Sequence, residues 1–292
     1  MILYRKCPLC NSIDLKGFAM DLQRKGPHIS RVKCQACQLV FANPMADEKE
    51  LVDYYKNYYE KDLYEAINYK KVILDHFRRI KKLHFHAIKE EARYLSGLRS
   101  GNRFLDVGCG LGLGLAYANQ LNCELFATEF DAGALEFVKE HFPVQTFQGD
   151  IWGAKFPDAY FDFIHISHVI EHVLDPLAYL REMKRILKPG GILAIGTPDI
   201  SSAMYSLHRF VNLILLRVPD IIDGLEHTFI FPKHTLAALC VKEGLLIEDH
   251  YTHNLGEKLK NLLNYKMPLI KKINRLIQNA FQVNQWIVCR NP

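Results

Sequence analysis

The chain has 292 residues, 49% of them apolar, and a formal net charge of +5. That size suits one large domain plus a small module, with enough apolar residues to fill a core. The mild positive charge permits an anionic partner without demanding one, and no uninterrupted apolar run of about 18 residues is present to cross a bilayer. Residues 1–6 lack the apolar core and cleavage site of an export signal, so the expected location is cytoplasmic, with reduced thiols. Of the eight cysteines, four fall into two C-x-x-C pairs, a pattern that favours metal ligation over disulfides.

In chain order, Cys7-Pro8-Leu9-Cys10 and Cys34-Gln35-Ala36-Cys37 come first. Two such knuckles supply four thiolates for one tetrahedral zinc, as in a zinc ribbon, and residues 1–46 are read as that module. Two or three short strands between the knuckles are too small a unit to hold together without the metal. Four thiolates leave no open position for a reacting water, so the expected Zn2+ is structural. Arg24, Lys25, Arg31 and Lys33 lie between the knuckles without an aromatic stacking run. A folding staple that shapes a cleft is therefore favoured over a nucleic-acid surface.

Residues 47–100 are read as a helical linker or cap. Asp47 is placed to cap a helix that starts at Glu48 and continues through Leu51, Val52 and Tyr55. Tyr54, Tyr55, Tyr58, Tyr59, Tyr64 and Tyr69 either pack between module and core or wall a cofactor or substrate. A second helical period covers 68–96, with Arg78, Arg79, Lys81 and Lys82 on a solvated face.

The apolar run 104–107 then reads as a buried strand that ends in a glycine-rich turn, and 111–121 as the helix that follows. The spacing Asp106-x-Gly108-x-Gly110-x-Gly112 differs from the G-x-G-x-x-G of nicotinamide enzymes. A second strand over 124–128 leads into Glu129-Phe130-Asp131. Glu129 lies about 20 residues beyond Gly108, where a Rossmann-like fold places its ribose-binding acid. Further strands are expected over 144–147, 163–166 and 192–195. Gly149-Asp150-Ile151 follows the first of these, and Asp175-Pro176 opens a helix over 177–187 that Lys188-Pro189-Gly190-Gly191 ends. Strands alternating with helices mean a parallel sheet covered on both faces.

Asp106 and its glycines, Glu129, Asp150 and the Leu187-Lys188-Pro189-Gly190-Gly191 segment resemble the class I S-adenosylmethionine (SAM)-dependent methyltransferases over about residues 100–250. The resemblance implies an α/β, Rossmann-like, seven-stranded domain over 101–292, with insertions at 199–230 and 257–281. It implies that Asp106, Gly108, Gly110 and Gly112 hold the methionine end of the cofactor. Glu129 and Phe130 would serve its ribose, Asp150 and Ile151 its adenine, and Ser167 would line the same crevice.

Ser167-His168-Val169-Ile170-Glu171-His172 sits just past the fourth strand of that domain, at the sheet edge where ligands bind. Its H-x-x-E-H pattern matches the inverted zinc proteases, but a strand end is the wrong setting for a helix-borne metal motif. The Glu171-His172 pair resembles one found in small-molecule methyltransferases, including ubiquinone-pathway O-methyltransferases, where a nearby acid completes a divalent-metal site. Here His168 stands in place of that acid. The other readings make His172 or His168 a general base, or make Glu171 and His172 a pair that shapes the turn. Methyl transfer from a sulfonium needs a positioned acceptor and removal of its proton, and histidine supplies a base with least perturbation.

Inside the first insertion, Glu226-His227 resembles the zinc-ribbon sugar C-methyltransferases, whose corresponding histidine acts as base. That likeness makes His227 the first candidate base, with Glu226 beside it, and His172 the second. Those enzymes carry a further C-terminal domain for which this chain is too short, so O-methylation is expected at least as readily as C-methylation. Strands over 245–250 and 285–289 are expected as a closing antiparallel hairpin. The basic, amphipathic stretch 257–281 either packs on the domain or a partner subunit, or lies on a membrane surface.

Zinc ribbon, tyrosine-rich linker and SAM domain in this order resemble bacterial methyltransferases of sugar and surface-polysaccharide pathways. The segment Cys34-Gln35-Ala36-Cys37-Gln38-Leu39-Val40-Phe41-Ala42-Asn43-Pro44 is part of that likeness. The expectation is a monomeric or homodimeric SAM-dependent methyltransferase acting on a sugar hydroxyl, nucleotide-linked or in a glycan, with a histidine base. Three alternatives stay open: a ribosomal- or transfer-RNA base methyltransferase, a quinone or lipid O-methyltransferase, and a SAM-binding protein without turnover.

Overall fold

The computed structural model describes residues 1–18, 30–56, 58, 69–83, 92–199, 228–252 and 284–292. Three short N-terminal strands come first: β1 (Leu15–Gly17), β2 (Ser30–Cys34) and β3 (Val40–Asn43). Helix α1 (Glu48–Tyr55) follows, and Asp47 caps it as expected. The Asp47 side chain accepts from the Glu50 amide while the Glu50 side chain accepts from the Asp47 amide, which closes a capping box. Helix α2 (Tyr69–Ile80) buries Ile73, Phe77 and Ile80 along one stripe. The helical period expected over 68–96 is broken: residues 81–83 leave the helix, and Arg93–Leu95 form a single 3-10 turn.

The main sheet begins with β4 (Arg103–Val107), β5 (Glu124–Glu129), β6 (Val144–Gln148), β7 (Phe161–Ser167) and β8 (Leu187–Pro198). Between them run α3 (Leu113–Gln120), α4 (Ala132–His141) and α5 (Pro176–Ile186). A two-residue strand β9 (Phe229–Ile230), helix α6 (Lys233–Lys242), β10 (Leu246–Thr252) and β11 (Asn284–Arg290) complete the described elements. The sheet has seven strands in the order β10-β11-β8-β7-β4-β5-β6. Strands β4 to β8 are parallel, and β11 runs antiparallel to both β8 and β10, the hairpin that the sequence anticipated.

Alternation along β4 divides the core. Phe104 faces one buried cluster with Phe163, Ala194 and Trp286, whereas Leu105 and Val107 face the other with Ile164, Ile166, Leu193 and Ile195. Asp131 and Asp175 cap α4 and α5 through the amides of Ala134 and Ala178. One expectation changes here. Lys188-Pro189-Gly190-Gly191 is strand rather than helix terminator, so β8 starts directly after α5. The Asn291 side chain donates to the Leu187 carbonyl at 2.9 Å, and its main chain bonds Gly190 and Gly191, so the C-terminus holds that stretch extended.

The cysteine-bearing strands do not stand apart. β3 pairs with β9, making a four-stranded sheet in the order β1-β2-β3-β9. Leu39, Phe41 and Met45 share a buried cluster with Leu236 and Leu239 of α6. Among the described residues, no helix is long and apolar enough to cross a membrane.

Candidate active site

The turn from β4 into α3 is built from backbone that only glycine adopts easily. Gly108, Gly110 and Gly112 have φ of 63°, 51° and 82°. A Cβ on Gly108 would lie 2.4 Å from Val169 Cγ2, so the glycine turn and the turn after β7 touch at that position. Glu129, at the end of the adjacent β5, accepts from the Gly110 amide at 2.9 Å and from the Phe130 amide at 2.7 Å. Burial pushes the Glu129 carboxyl above its usual range, and the amides of Asp131, Gly110 and Phe130 pull it partly back.

Asp150 follows β6 and accepts from the Gly153 amide at 2.8 Å, with Ile151 fully buried behind it. Trp152 packs edge-on against Tyr179 of α5 at 5.0 Å. Burial raises the Tyr179 phenol, and the Asp150 and Glu129 charges add to the effect, so this ring belongs to the same corner. Ser167 ends β7 opposite Gly196 of β8. Asp106 is placed differently from the others. It is 2% exposed, its Oδ1 bonds His165 Nδ1 at 2.7 Å, and its Oδ2 lies under the first turn of α3 at Gly114.

The second cluster assembles around Glu171, which is 0% exposed. Thr197 of β8 donates to its Oε2 at 2.9 Å, and His168 Nδ1 lies 3.1 Å from its Oε1. The Glu171 carbonyl accepts from the Thr228 hydroxyl at 2.7 Å and the Phe229 amide at 2.9 Å. A carboxylate only accepts, so His168 carries its proton on Nδ1 and offers Nε2 to the Asn284 amide, 3.0 Å away. His168 also holds a left-handed backbone at φ 56°, an uncommon conformation outside glycine. His172 shares a 2.8 Å hydrogen bond between its Nδ1 and the Tyr55 hydroxyl of α1, while its Nε2 lies 3.9 Å from Glu171 Oε1. The rings of Tyr54, Tyr55 and Tyr58 pack on one another beside it.

The sequence pointed to Glu171, His172 and His168, and the structure brings them together. For Tyr55 the sequence offers only packing between module and core or a general aromatic wall, and Thr197, Thr228, Asn284 and Tyr179 carry no signal at all. Tyr55, Thr197, Thr228 and Asn284 come from parts of the chain remote from Glu171, so no local spacing marks them. Glu226 and His227, and the stretch 257–281, lie outside the described residues.

Cys7, Cys10, Cys34 and Cys37 converge as expected, all four sulfurs within 4.8 Å of one another. The Cys7–Cys37 and Cys10–Cys34 sulfurs are 3.6 Å apart, close to the ~3.8 Å edge of a tetrahedron with ~2.3 Å zinc–sulfur bonds. The two knuckles repeat one geometry. Asn11 and Gln38 each hold a positive φ and donate their amides to the carbonyls of Cys7 and Cys34, four residues back. A hydrogen bond from Cys37 lowers the Cys7 thiol to about 5, favouring a thiolate. The chemistry and spacing fit zinc. Among the described residues this is the one group of three or more His, Cys, Asp or Glu side chains placed for a metal, and His168, Glu171 and His172 do not form a second.

Residues 74–250, more than half of the chain, match a family model described as a methyltransferase domain. The chain belongs to the methyltransferase-domain family. A probable S-adenosylmethionine-dependent methyltransferase of Mycobacterium tuberculosis is 31% identical to this methyltransferase-domain chain over 96 residues, 32% of this chain and 35% of that protein. A demethylmenaquinone methyltransferase of Staphylococcus aureus is 34% identical over 128 residues, 39% of this chain and 53% of that protein. The chain thus spans about a third to a half of the length of these curated relatives. Among solved structures, the [4+2]-cyclase SpnF superposes with a TM-score of 0.50 at 18% identity, over 70% of this chain and 81% of that one. That likeness concerns the fold alone.

Proposed function

We propose that this chain is a SAM-dependent methyltransferase that acts on a hydroxyl of a small-molecule acceptor, a sugar that is nucleotide-linked or part of a glycan. The observation that carries this reading is the contact of the glycine turn with the Glu171 cluster at Gly108 and Val169. It supports reading the glycine turn as a cofactor cradle beside the segment that carries His168, Glu171 and His172, whose imidazoles could take a proton.

The cradle fits SAM. In this reading Gly108, Gly110 and Gly112 let the cofactor approach the backbone, Glu129 and Phe130 would serve its ribose, and Asp150 and Ile151 its adenine, with Ser167 lining the same crevice. When bound, the sulfonium supplies an activated methyl group. The chain's own task is to orient the acceptor and remove its proton.

His172 is the base favoured among the described residues. With Nδ1–H donated to the Tyr55 hydroxyl 2.8 Å away, the imidazole presents its Nε2 lone pair, 3.9 Å from Glu171 Oε1 and beyond hydrogen-bond distance of it, as the proton acceptor. His168 is less suited, because Glu171 and Asn284 engage both of its nitrogens. His227 remains the competing candidate: it precedes Thr228 in the chain, and Thr228 is bonded to the Glu171 carbonyl. Cys7, Cys10, Cys34 and Cys37 would hold a structural zinc. Metal analysis of purified protein is expected to give about one zinc per chain, lost on replacing Cys34 by serine.

A second reading rests on the Staphylococcus aureus relative, which favours a quinone acceptor. Methyl-labelled SAM offered with nucleotide sugars, glycan extract, quinone and lipid extract, and total RNA separates the readings. Label in the sugar pools is expected. Label in quinone would install the second reading, and label confined to RNA would overturn both.

A further inference from the structure

Asp106 and His165 form a buried polar pair inside the main sheet, on neighbouring parallel strands and directly in register. They are 2% and 4% exposed. The His165 ring lies in a stack with Tyr94 at 5.2 Å, Trp286 at 5.5 Å and Phe104 at 6.0 Å, so its orientation is fixed by packing. Its Nδ1 meets Asp106 Oδ1 at 2.7 Å. The other carboxylate oxygen, Oδ2, is buried with no hydrogen-bond partner among the described residues. It lies under the first turn of α3, where a Cβ on Gly114 would come within 2.6 Å of Oδ2 and 2.8 Å of His165 Nδ1.

Helix α3 starts from Gly112 without a side-chain cap. Its first amides therefore lack the acceptor that a serine or aspartate would give, and an anion placed beneath them is electrostatically favourable. Asp106 occupies that place, and among the described residues the imidazole N–H is the one donor that fixes which way its carboxylate turns.

We infer that His165 is a positioning residue for SAM binding: acting through Asp106, it fixes the start of α3 and hence the glycine turn that receives the cofactor. This rests on the SAM reading above. Neither residue needs to touch the cofactor. Without the His165 N–H, the buried carboxylate must seek donors in the first turn of α3, and the turn shifts with it.

The test compares H165F, which keeps a ring in the stack and loses the donor, with H165N, which keeps a donor near the Nδ1 position. By calorimetry H165F is expected to weaken SAM about tenfold, the scale of one buried hydrogen bond, and H165N less than about threefold. G114A, which presses a methyl group onto the pair, is expected to weaken SAM independently and keeps the inference testable if H165F does not fold. Amide exchange of residues 108–116 in the ligand-free protein is expected to accelerate in H165F and not in H165N. Wild-type affinity in H165F, or equal loss in H165N and H165F, would overturn the inference. Failure of the wild type to bind SAM would sink the cofactor reading instead, and unchanged exchange over 108–116 would then overturn the brace by itself.

Discussion

The glycine turn and the Glu171 cluster touch at one point, yet they are built in opposite ways. From Asp106 to Gly114 the turn is a continuous stretch, its conformation set by glycines at positive φ and by the Gly110 amide bonded to Glu129 on the adjacent strand. The Glu171 cluster draws its partners from α1, β8, β11 and the residue that precedes β9. A local motif fails most sharply when its own backbone is altered, and depends less on the neighbours that brace it, here Glu129 and His165. An assembled site depends on every element that delivers a side chain, and each contributes a smaller share.

The largest effect should come where the two regions meet. Gly108→Val places a branched side chain at φ 63° and drives it into Val169. Strain of this kind costs about 1–3 kcal/mol before the clash is counted. SAM affinity by calorimetry should fall by ~10²-fold or more, and affinity within a few-fold of wild type would show that the turns are not packed as described.

Next, His172→Ala should leave SAM affinity intact and cut turnover by ~10²-fold. Unchanged turnover, with the same loss seen instead in His227→Ala, would move the base into the insertion and leave Glu171 as a support for the turn.

A pH profile sharpens the cofactor side. Burial raises the Glu129 carboxyl, and ribose hydroxyls need it ionised as an acceptor. SAM affinity should therefore decline as pH falls through that raised value, starting above the ordinary carboxylate range. The unliganded fold moves the other way: a raised carboxyl contributes stability on the acid side that is lost as pH rises through its folded pKa. Glu129→Gln should flatten the binding profile, and a persistent inflection would assign it to another group.

The smallest expected change is Tyr55→Phe, which deletes one hydroxyl contact to His172 Nδ1. About a tenfold drop in turnover is expected, with SAM affinity constant and the acid limb of the rate profile displaced. If the profile stays in place, Tyr55 is packing alone.

The sequence by itself determined the parts whose physics is local. Strand positions in the main sheet followed from apolar periodicity, and helix starts from caps such as Asp47 and Asp175, whose partners lie three residues away. The two cysteine knuckles were legible for the same reason, since each C-x-x-C pair closes its own turn. Tertiary structure decided what distant residues do to one another. It set Asp106 against His165, in register on the next strand, and buried the pair beneath the first turn of α3. It extended β8 through Lys188–Gly191 because Asn291 returns from the C-terminus to bond that stretch. It joined the cysteine-bearing sheet to Glu171 through β3, Thr228 and β9, and brought Tyr55 to His172. These contacts depend on strand register and on the packing of elements far apart in the chain, and neither leaves a mark in the spacing of neighbouring residues.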